Sequence, residues 1–215
     1  MQIDKNWTFH SKEIASNFDD HVREQLPWYD LATDAVEHIV RQYLPENGLI
    51  YDIGASTGNI NRILETLIDE RSAKYIGLDN SQEMIDKFTG KGEVILSDAL
   101  EFNYERFDVC VCFLTIMFLP VAEHEDFLNL LTNKIRRGGC LIIVDKCEPQ
   151  FGYISTVLSR LALKEKLKTT SAEDILKKEL SLSGVQRPIK SQMLSVRGVE
   201  FFRFGDFAGW IIEGR

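Results

Sequence analysis

Leu49-Ile-Tyr-Asp-Ile-Gly-Ala-Ser-Thr-Gly58 decides the fold, because in it a short apolar strand passes through a glycine turn directly into a helix. The helix is predicted by apolar residues at three- and four-residue intervals from Ile60 to Ile68. Glycines in such a turn let the backbone come close to a ligand at a helix N-terminus. The stretch therefore predicts a nucleotide-type binding turn after the first strand of the chain.

Strand and helix patterns then alternate along the chain. Further strands are predicted at 74–79, 93–97, 107–113 and 140–146. Helices are predicted from Ser81 and over 122–136, the second ending in the basic last turn and glycine stop of Arg136-Arg-Gly-Gly139. The segments 199–203 and 207–212 predict a closing hairpin. We therefore expect an α/β fold with a mostly parallel seven-stranded sheet, helices on both faces and a C-terminal antiparallel hairpin.

One domain is expected over 1–215, because this length and a hydrophobic content of 44% suffice for one core and are short for two. Two helical segments lie outside the alternation, an N-terminal cap at 11–45 and an insertion at 150–192. The insertion is far longer than an ordinary connection of about two to six residues. Insertions at the carboxyl ends of strands lie where open α/β sheets bind ligands, so both segments are predicted to form a helical lid.

Two carboxylates follow the next two predicted strands. Asp79 ends the second strand, where it could accept hydrogen bonds from both ribose hydroxyls of an adenosine, and Asp98 follows the third, where it could accept from an adenine amino group. Each aspartate alone fits a helix N-cap or a solvated loop equally well. Together with the glycine turn they predict an adenosine across the strand ends. Asp52 would be buried inside the first strand, with the turn N–H groups or a ligand ammonium as its partners.

The same turn also fits the Gly-x-Ser-x-Gly nucleophile elbow of an α/β-hydrolase, with Ser56 as the nucleophile. Such an elbow follows several strands, whereas this turn follows the first. It also requires a later histidine, and His124 is the only one after Ser56, at the start of a predicted helix. The hydrolase is therefore the weaker interpretation.

Five segments taken together resemble successive motifs of the class I S-adenosylmethionine (SAM)-dependent methyltransferases. They are Tyr51-Asp-Ile-Gly-Ala-Ser-Thr-Gly58, Ile76-Gly-Leu-Asp-Asn-Ser-Gln-Glu-Met84, Ser97-Asp98-Ala99, Phe107-Asp-Val109 and Gly138-Gly-Cys-Leu-Ile-Ile-Val144. The resemblance covers roughly 18–212 and implies a Rossmann-like fold, SAM as the cofactor and methyl transfer to an acceptor. It says little about which acceptor is used.

A narrower resemblance is to the carboxy-SAM synthases of tRNA wobble-uridine modification. It rests on Phe18-Asp-Asp-His-Val-Arg23, Tyr29, Gly54-Ala-Ser56, Asp79-Asn80, Phe118-Leu-Pro120 and Phe204-Gly-Asp-Phe207. The residues that this resemblance implies as SAM contacts are Tyr29, Gly54, Ala55, Ser56, Asp79, Asn80, Asp98 and Ala99. Asp52, Gly58 and Phe113 complete the candidate cofactor-binding set.

Two positions depart from the pattern of that family. Phe113 stands where the family has an asparagine at the end of the fourth strand, and Lys178 or Glu179 falls where it has an arginine that holds the extra carboxylate. A glutamate would repel a carboxylate. Methyl transfer is therefore our first interpretation and carboxy-SAM synthesis the second. A SAM-binding protein without transfer activity is the third, because no motif marks a catalytic residue.

Methyl transfer from a sulfonium depends mainly on orientation and exclusion of water, and a general base is needed only if the acceptor must lose a proton. Near the predicted cap, the titratable candidates are Asp19, His21, Tyr29 and His124. None belongs to a catalytic motif, so the catalytic residues stay unassigned.

Composition narrows the partners. The net charge of −8 disfavours DNA, because nucleic-acid affinity comes mainly from Lys and Arg, and 111–115 carries no DNA-methyltransferase motif. Between 160 and 190, however, eight basic residues outnumber four acidic ones, which keeps tRNA as a second candidate acceptor after a small molecule.

The cysteine spacings predict buried thiols and no metal site. No signal peptide or apolar span is seen, so a cytoplasmic protein without membrane contact is expected. The oligomeric state is not indicated.

Overall fold

The computed structural model describes residues 15–148 and 152–215. Its strands are β1 Leu49–Ile53, β2 Lys74–Asp79, β3 Glu93–Leu96, β4 Phe107–Phe113, β5 Ile135–Glu148, β6 Ile189–Lys190, β7 Val199–Phe204 and β8 Phe207–Glu213. Seven of them form a sheet in the order β3-β2-β1-β4-β5-β8-β7, and β6 pairs with the end of β5. Strands β1 to β5 pair in parallel, whereas β8 runs antiparallel to β5 and β7. The predicted sheet and hairpin are confirmed, and the two-residue β6 was not predicted.

The helices lie on both faces of this sheet. They are α1 Phe18–Gln25, α2 Tyr29–Tyr43, α3 Asn59–Glu70, α4 Gln82–Ile85, α5 His124–Lys134, α6 Gly152–Lys166, α7 Ala172–Ser181 and α8 Ser191–Ser195, with 3-10 turns at Ile116–Phe118 and Val121–Glu123. The helical segment predicted at 11–45 appears as α1 and α2, which are separated by residues 26–28; its first residues, 11–14, lie outside the described segments. No helix of the described segments is long and apolar enough to cross a bilayer.

Two apolar cores result because side chains of a strand point alternately to opposite faces of the sheet. Tyr51 and Cys110 pack on one face with α5, whereas Ile50 and Val109 pack on the other with α2 and α3. All residues of β1 and β4 are buried, as expected for central strands of a parallel sheet. The four cysteines are free and buried, which confirms that part of the prediction.

One boundary prediction is wrong. Arg136-Arg-Gly-Gly139 does not end a helix, because α5 ends at Lys134 and β5 already begins at Ile135. Ile135 pairs with Phe107 of β4, and the Arg136 guanidinium lies 2.6 Å from the Asp108 carboxylate. Gly138 takes a positive φ of 81° within this segment, and its N–H donates to Gly214. This segment has the local pattern of a helix terminus, but pairing with β4 makes it part of a strand instead.

Candidate active site

A cavity of about 230 Å³ opens at the carboxyl ends of β1 to β5. Every predicted site residue except Asp52 and Gly58 lines it, namely Tyr29, Gly54, Ala55, Ser56, Asp79, Asn80, Asp98, Ala99 and Phe113. The segments predicted to form a lid also contribute, with His21 and Gln25 on α1 and Lys166, Lys178 and Glu179 on α6 and α7. One cavity therefore joins the predicted adenosine site to side chains of the helical segments.

The glycine turn is held by the neighbouring strand. The N–H groups of Gly54 and Ala55 donate to the Leu78 carbonyl of β2 at 2.8 and 2.9 Å. A Cβ on Gly54 would lie 2.4 Å from Oγ1 of Thr115, so only glycine allows this approach at its φ of 78°. Thr115 in turn donates to the Ile53 carbonyl at 2.7 Å. These contacts fix the turn between β2 and the residue that follows β4.

Asp79 is oriented by backbone donors at the end of β2. One carboxylate oxygen accepts from the N–H of Ser56 at 2.9 Å, and the other accepts from the N–H of Ser81 at 2.9 Å. An ionised carboxylate offers about four lone-pair sites, so this arrangement is compatible with additional hydrogen bonds toward the cavity. Asp98 is exposed, lines the same cavity and accepts from the N–H of Leu100 at 2.8 Å. The two carboxylates therefore lie in the same cavity, at the carboxyl ends of the neighbouring strands β2 and β3.

Asp52 and Gly58 support the turn from outside the cavity. The Asp52 carboxylate is 1% exposed, and its predicted backbone partners are replaced by the Tyr75 hydroxyl, which donates at 2.6 Å. Its other oxygen has no hydrogen-bond partner among the described residues, and burial raises the pKa of Asp52 to about 7. Gly58 precedes α3 with a φ of 92°, and a Cβ there would lie 2.5 Å from the Thr89 carbonyl.

A second buried carboxylate shapes the cavity wall after β4. Asp145 on β5 accepts the N–H groups of Thr115, Ile116 and Met117 at 3.1, 2.7 and 3.3 Å. Burial raises its pKa to about 7, against the lowering effect of these donors. It thereby fixes the 3-10 turn from which Thr115 and Met117 reach the cavity. Asp145 carries no sequence signal of this role, because an acidic residue inside an apolar strand belongs to no motif.

Lysines line the part of the cavity that the helical segments form. Lys166 on α6 pairs with Glu179 on α7 at 2.8 Å, and Lys146 donates to the Gln186 amide oxygen at 2.8 Å. Nζ of Lys178 lies 2.9 Å from Nε2 of His21. Burial and the charge of Lys166 lower the pKa of Lys178 to about 7, and burial with the charge of Lys178 lowers the pKa of His21 to about 4.

Sequence patterns did not single out Lys146, although it lies near the carboxyl end of β5, at the same end of the sheet as Asp79 and Asp98. Lys166 belongs to the basic stretch 160–190, which gave no signal that it faces inward, whereas Lys178 and Glu179 had been singled out by the narrower family resemblance, and both line the cavity. In the structure Lys168, just beyond α6, pairs with Glu165, and Lys177 pairs with Glu173 on the exposed face of α7. The basic stretch is thus divided between paired surface lysines and lysines that line the cavity.

Of the titratable candidates, His21 and Tyr29 line the cavity. Burial raises the pKa of Tyr29 well above its usual range, so its hydroxyl stays neutral, and its ring packs edge-on against Phe113 with centroids 5.2 Å apart. His124 is buried with Nε2 3.1 Å from the Leu119 carbonyl. Asp19 instead accepts from Thr57, Asn59 and Arg62.

Ser56 does not have the surroundings of a nucleophile. Its hydroxyl lies 3.5 Å from the sulfur of Met84, with no histidine paired to it in the described segments. Its backbone takes a φ of 51°, which places its N–H on Asp79. The serine therefore serves the geometry of the turn.

Comparison with known proteins agrees with this geometry. A family model described as a methyltransferase domain matches residues 51–143. The carboxy-SAM synthase of Staphylococcus epidermidis is 28% identical over 95% of this chain and 96% of its own length, and that of Wolinella succinogenes is 26% identical over 99% and 95%. The structure of the plantazolicin methyltransferase BamL with a substrate analogue and S-adenosylhomocysteine superposes with a TM-score of 0.64, at 14% identity over 96% of each chain. The predicted resemblance is confirmed.

Proposed function

Because this chain is a SAM-dependent enzyme with the class I methyltransferase fold, we propose that it transfers the methyl group of SAM to a small molecule held in the same cavity. The observation that carries this proposal is the single cavity that joins Asp79 and Asp98 to the inner faces of α1 and α7. A cofactor anchored by Asp79 and Asp98 would direct its sulfonium toward the part of the cavity that α1 and α7 line.

The residues present fit SAM. Asp79 supplies a preoriented acceptor for the ribose hydroxyls, Asp98 an acceptor for the adenine amino group, and Gly54 the close approach of the backbone. When bound, SAM supplies an electrophilic methyl group. The chain contributes orientation and exclusion of water, and Phe113 and Tyr29 provide an apolar wall beside the turn.

The helical segments are proposed to decide the acceptor. Helices α1, α6 and α7 place His21, Lys166 and Lys178 on the cavity wall, away from Asp79 and Asp98. A partly enclosed space of this kind suits a small molecule, whereas a polynucleotide would use the outer surface, where Lys168 and Lys177 are already paired with glutamates. The small molecule is therefore placed before tRNA.

The test is to incubate the protein with methyl-labelled SAM, separately with a small-metabolite extract and with total tRNA. We expect release of S-adenosylhomocysteine and label in the small-molecule fraction. The Asp79→Ala variant serves as the control for cofactor-independent labelling. Label in the tRNA fraction alone would contradict a small acceptor.

A second candidate function is carboxy-SAM synthesis, the activity in the names of relatives 28% and 26% identical to this chain. A specific observation favours it. Glu179, which would repel a carboxylate, is paired with Lys166, while Lys146 and Lys178 line the cavity with no ion-pair partner among the described residues. Mass spectrometry separates the candidates, because methyl transfer yields S-adenosylhomocysteine whereas the second reaction yields a sulfonium carrying an added carboxyl group.

A further inference from the structure

Lys178 and His21 form a nitrogen-to-nitrogen contact on the cavity wall. The 2.9 Å separation of Nζ and Nε2 requires one nitrogen to donate and the other to accept. His21 is 7% exposed and its pKa is lowered to about 4, so its ring is neutral at physiological pH. A Lys178 ammonium can only donate, so the contact requires the tautomer with the ring proton on Nδ1 and Nε2 as the acceptor. In this tautomer Lys178 is the donor, and the contact fixes the direction of its side chain.

The surroundings of Lys178 do not favour its charged form. The described elements packed about it contribute His21 from α1, Lys166 from α6, Glu179 from its own helix and Lys146 from β5. The one carboxylate among them, Glu179, is engaged by Lys166 at 2.8 Å, and no carboxylate of the described residues lies within ion-pair distance of Lys178. A neutral amine that donates one N–H to His21 keeps its lone pair for another partner.

Resting on the proposed function, we infer that Lys178 is the general base of the transfer, that His21 is its positioning residue, and that the acceptor is therefore an amine, a phenol or an alcohol. The acceptor nitrogen or oxygen forms a bond to the methyl carbon while the carbon–sulfur bond breaks, leaving its electron pair on sulfur. The acceptor proton passes to Nζ of Lys178. The products are methylated acceptor, neutral thioether and a Lys178 ammonium that returns its proton to water.

This assignment gives a pH profile of defined sign. The pKa of Lys178 is lowered to about 7, so the neutral amine becomes the main form as the pH rises above that value. For a base, kcat/KM should rise with pH through about 7 and then level off, because this profile reports the free enzyme. For a cation that holds a substrate carboxylate, kcat/KM should instead fall over the same range.

The matched variants are Lys178→Arg and Lys164→Arg, measured with the acceptor found by methyl labelling. Arginine keeps the charge and cannot act as a base, so Lys178→Arg should lower kcat by about 100-fold or more. Lys164 is exposed on α6, and Lys164→Arg should leave kcat unchanged. Removal of a base predicts a loss of about 100-fold or more. A kcat of Lys178→Arg within about threefold of wild type would therefore overturn the assignment.

The role of His21 has its own readout. His21→Leu removes the acceptor for the Lys178 N–H, which should move the midpoint of the pH profile to lower pH, because a hydrogen bond to the charged form raises a pKa. His21→Gln retains an acceptor and should restore the midpoint. A purely structural His21 would lower kcat at every pH without moving the midpoint.

A titration without turnover separates failure of this assignment from failure of the proposed function. In protein with ¹³C-labelled lysine and bound S-adenosylhomocysteine, the Lys178 Cε resonance, identified by its loss in Lys178→Arg, should titrate near pH 7. Acetate is the probe for carboxylate binding. Two results would overturn the base assignment even if no acceptor were found. One is a midpoint near the ordinary pKa of lysine. The other is a midpoint that acetate raises by more than about one pKa unit, a tenfold gain in proton affinity.

Discussion

At the scale of single residues, Asp79 carries the proposed anchoring of the cofactor. Asp79→Ala removes two charge-assisted hydrogen bonds to the ribose, each worth about 1.5 to 3 kcal/mol, so the Kd for S-adenosylhomocysteine should rise by about 100-fold or more. Calorimetry measures this. Asp86→Ala, at an exposed carboxylate after α4, is the matched control and should bind normally. Undiminished affinity in Asp79→Ala would refute the assignment.

Asp52 gives a prediction on stability. Its pKa is raised to about 7 by burial, above the ordinary value near 3.9, so the folded protein binds the proton more tightly than the unfolded chain. A raised carboxyl pKa contributes stability that is present below about pH 4 and is lost as the pH rises through about 7. The free energy of unfolding should therefore decline across this range. In Asp52→Asn the decline should be smaller by at least about 1 kcal/mol in denaturant titrations. Parallel pH curves for the two proteins would contradict this.

Ser56 tests the hydrolase alternative at the same scale. Since its hydroxyl lies against the Met84 sulfur, Ser56→Ala should change the Kd for S-adenosylhomocysteine by less than about tenfold, roughly one hydrogen bond. The wild-type protein should also not react with a fluorophosphonate. Covalent labelling that disappears in Ser56→Ala would establish a nucleophilic serine.

At the scale of elements, α1 is tied to the cofactor turn by one polar cluster. Asp19 accepts from Thr57 at 2.5 Å and from the Arg62 guanidinium at 2.5 Å, and Arg62 also donates to the Thr57 carbonyl at 2.6 Å. Arg62→Met should loosen α1 by about 1 kcal/mol, because the pair is about one-third exposed and partly screened. The dissociation rate of S-adenosylhomocysteine should rise about fivefold. Arg41→Met, in a similarly exposed pair with Glu37 on α2, does not touch the cofactor turn and should not change it.

Elements also show how far sequence patterns reach. β1, the glycine turn, α3 and the positions of Asp79 and Asp98 were predicted because strand period, turn chemistry and carboxylates at strand ends are local signals. The first residue of β5 was predicted too far along the chain, because the strand begins where Ile135 pairs with Phe107, and this pairing depends on another strand. His21 and Lys178 are 157 positions apart in the sequence, and no local pattern around either residue predicts their contact.

At the scale of the whole molecule, charge decides between acceptor classes. Lys164 on α6, Lys168 just beyond this helix and Lys177 on α7 are exposed, unlike Lys166 and Lys178, which line the cavity. Their simultaneous reversal to glutamate should leave both cofactor affinity and transfer to a small acceptor nearly unchanged. Loss of transfer with strong dependence on salt would indicate an RNA or another polyanion, because each phosphate contact contributes to the salt slope.

Helix α1 has a further consequence for the binding of cofactor and acceptor. Asp19 joins it to the cofactor turn, while Gln25 donates to Thr170 at 3.2 Å and His21 contacts Lys178, so one helix of eight residues touches both parts of the cavity. A ligand that orders this helix at one part should favour binding at the other, and such coupling is reciprocal. Cofactor and acceptor should therefore bind cooperatively, each lowering the Kd of the other by the same factor. Calorimetry of each ligand, with and without saturating amounts of the other, would measure the two factors.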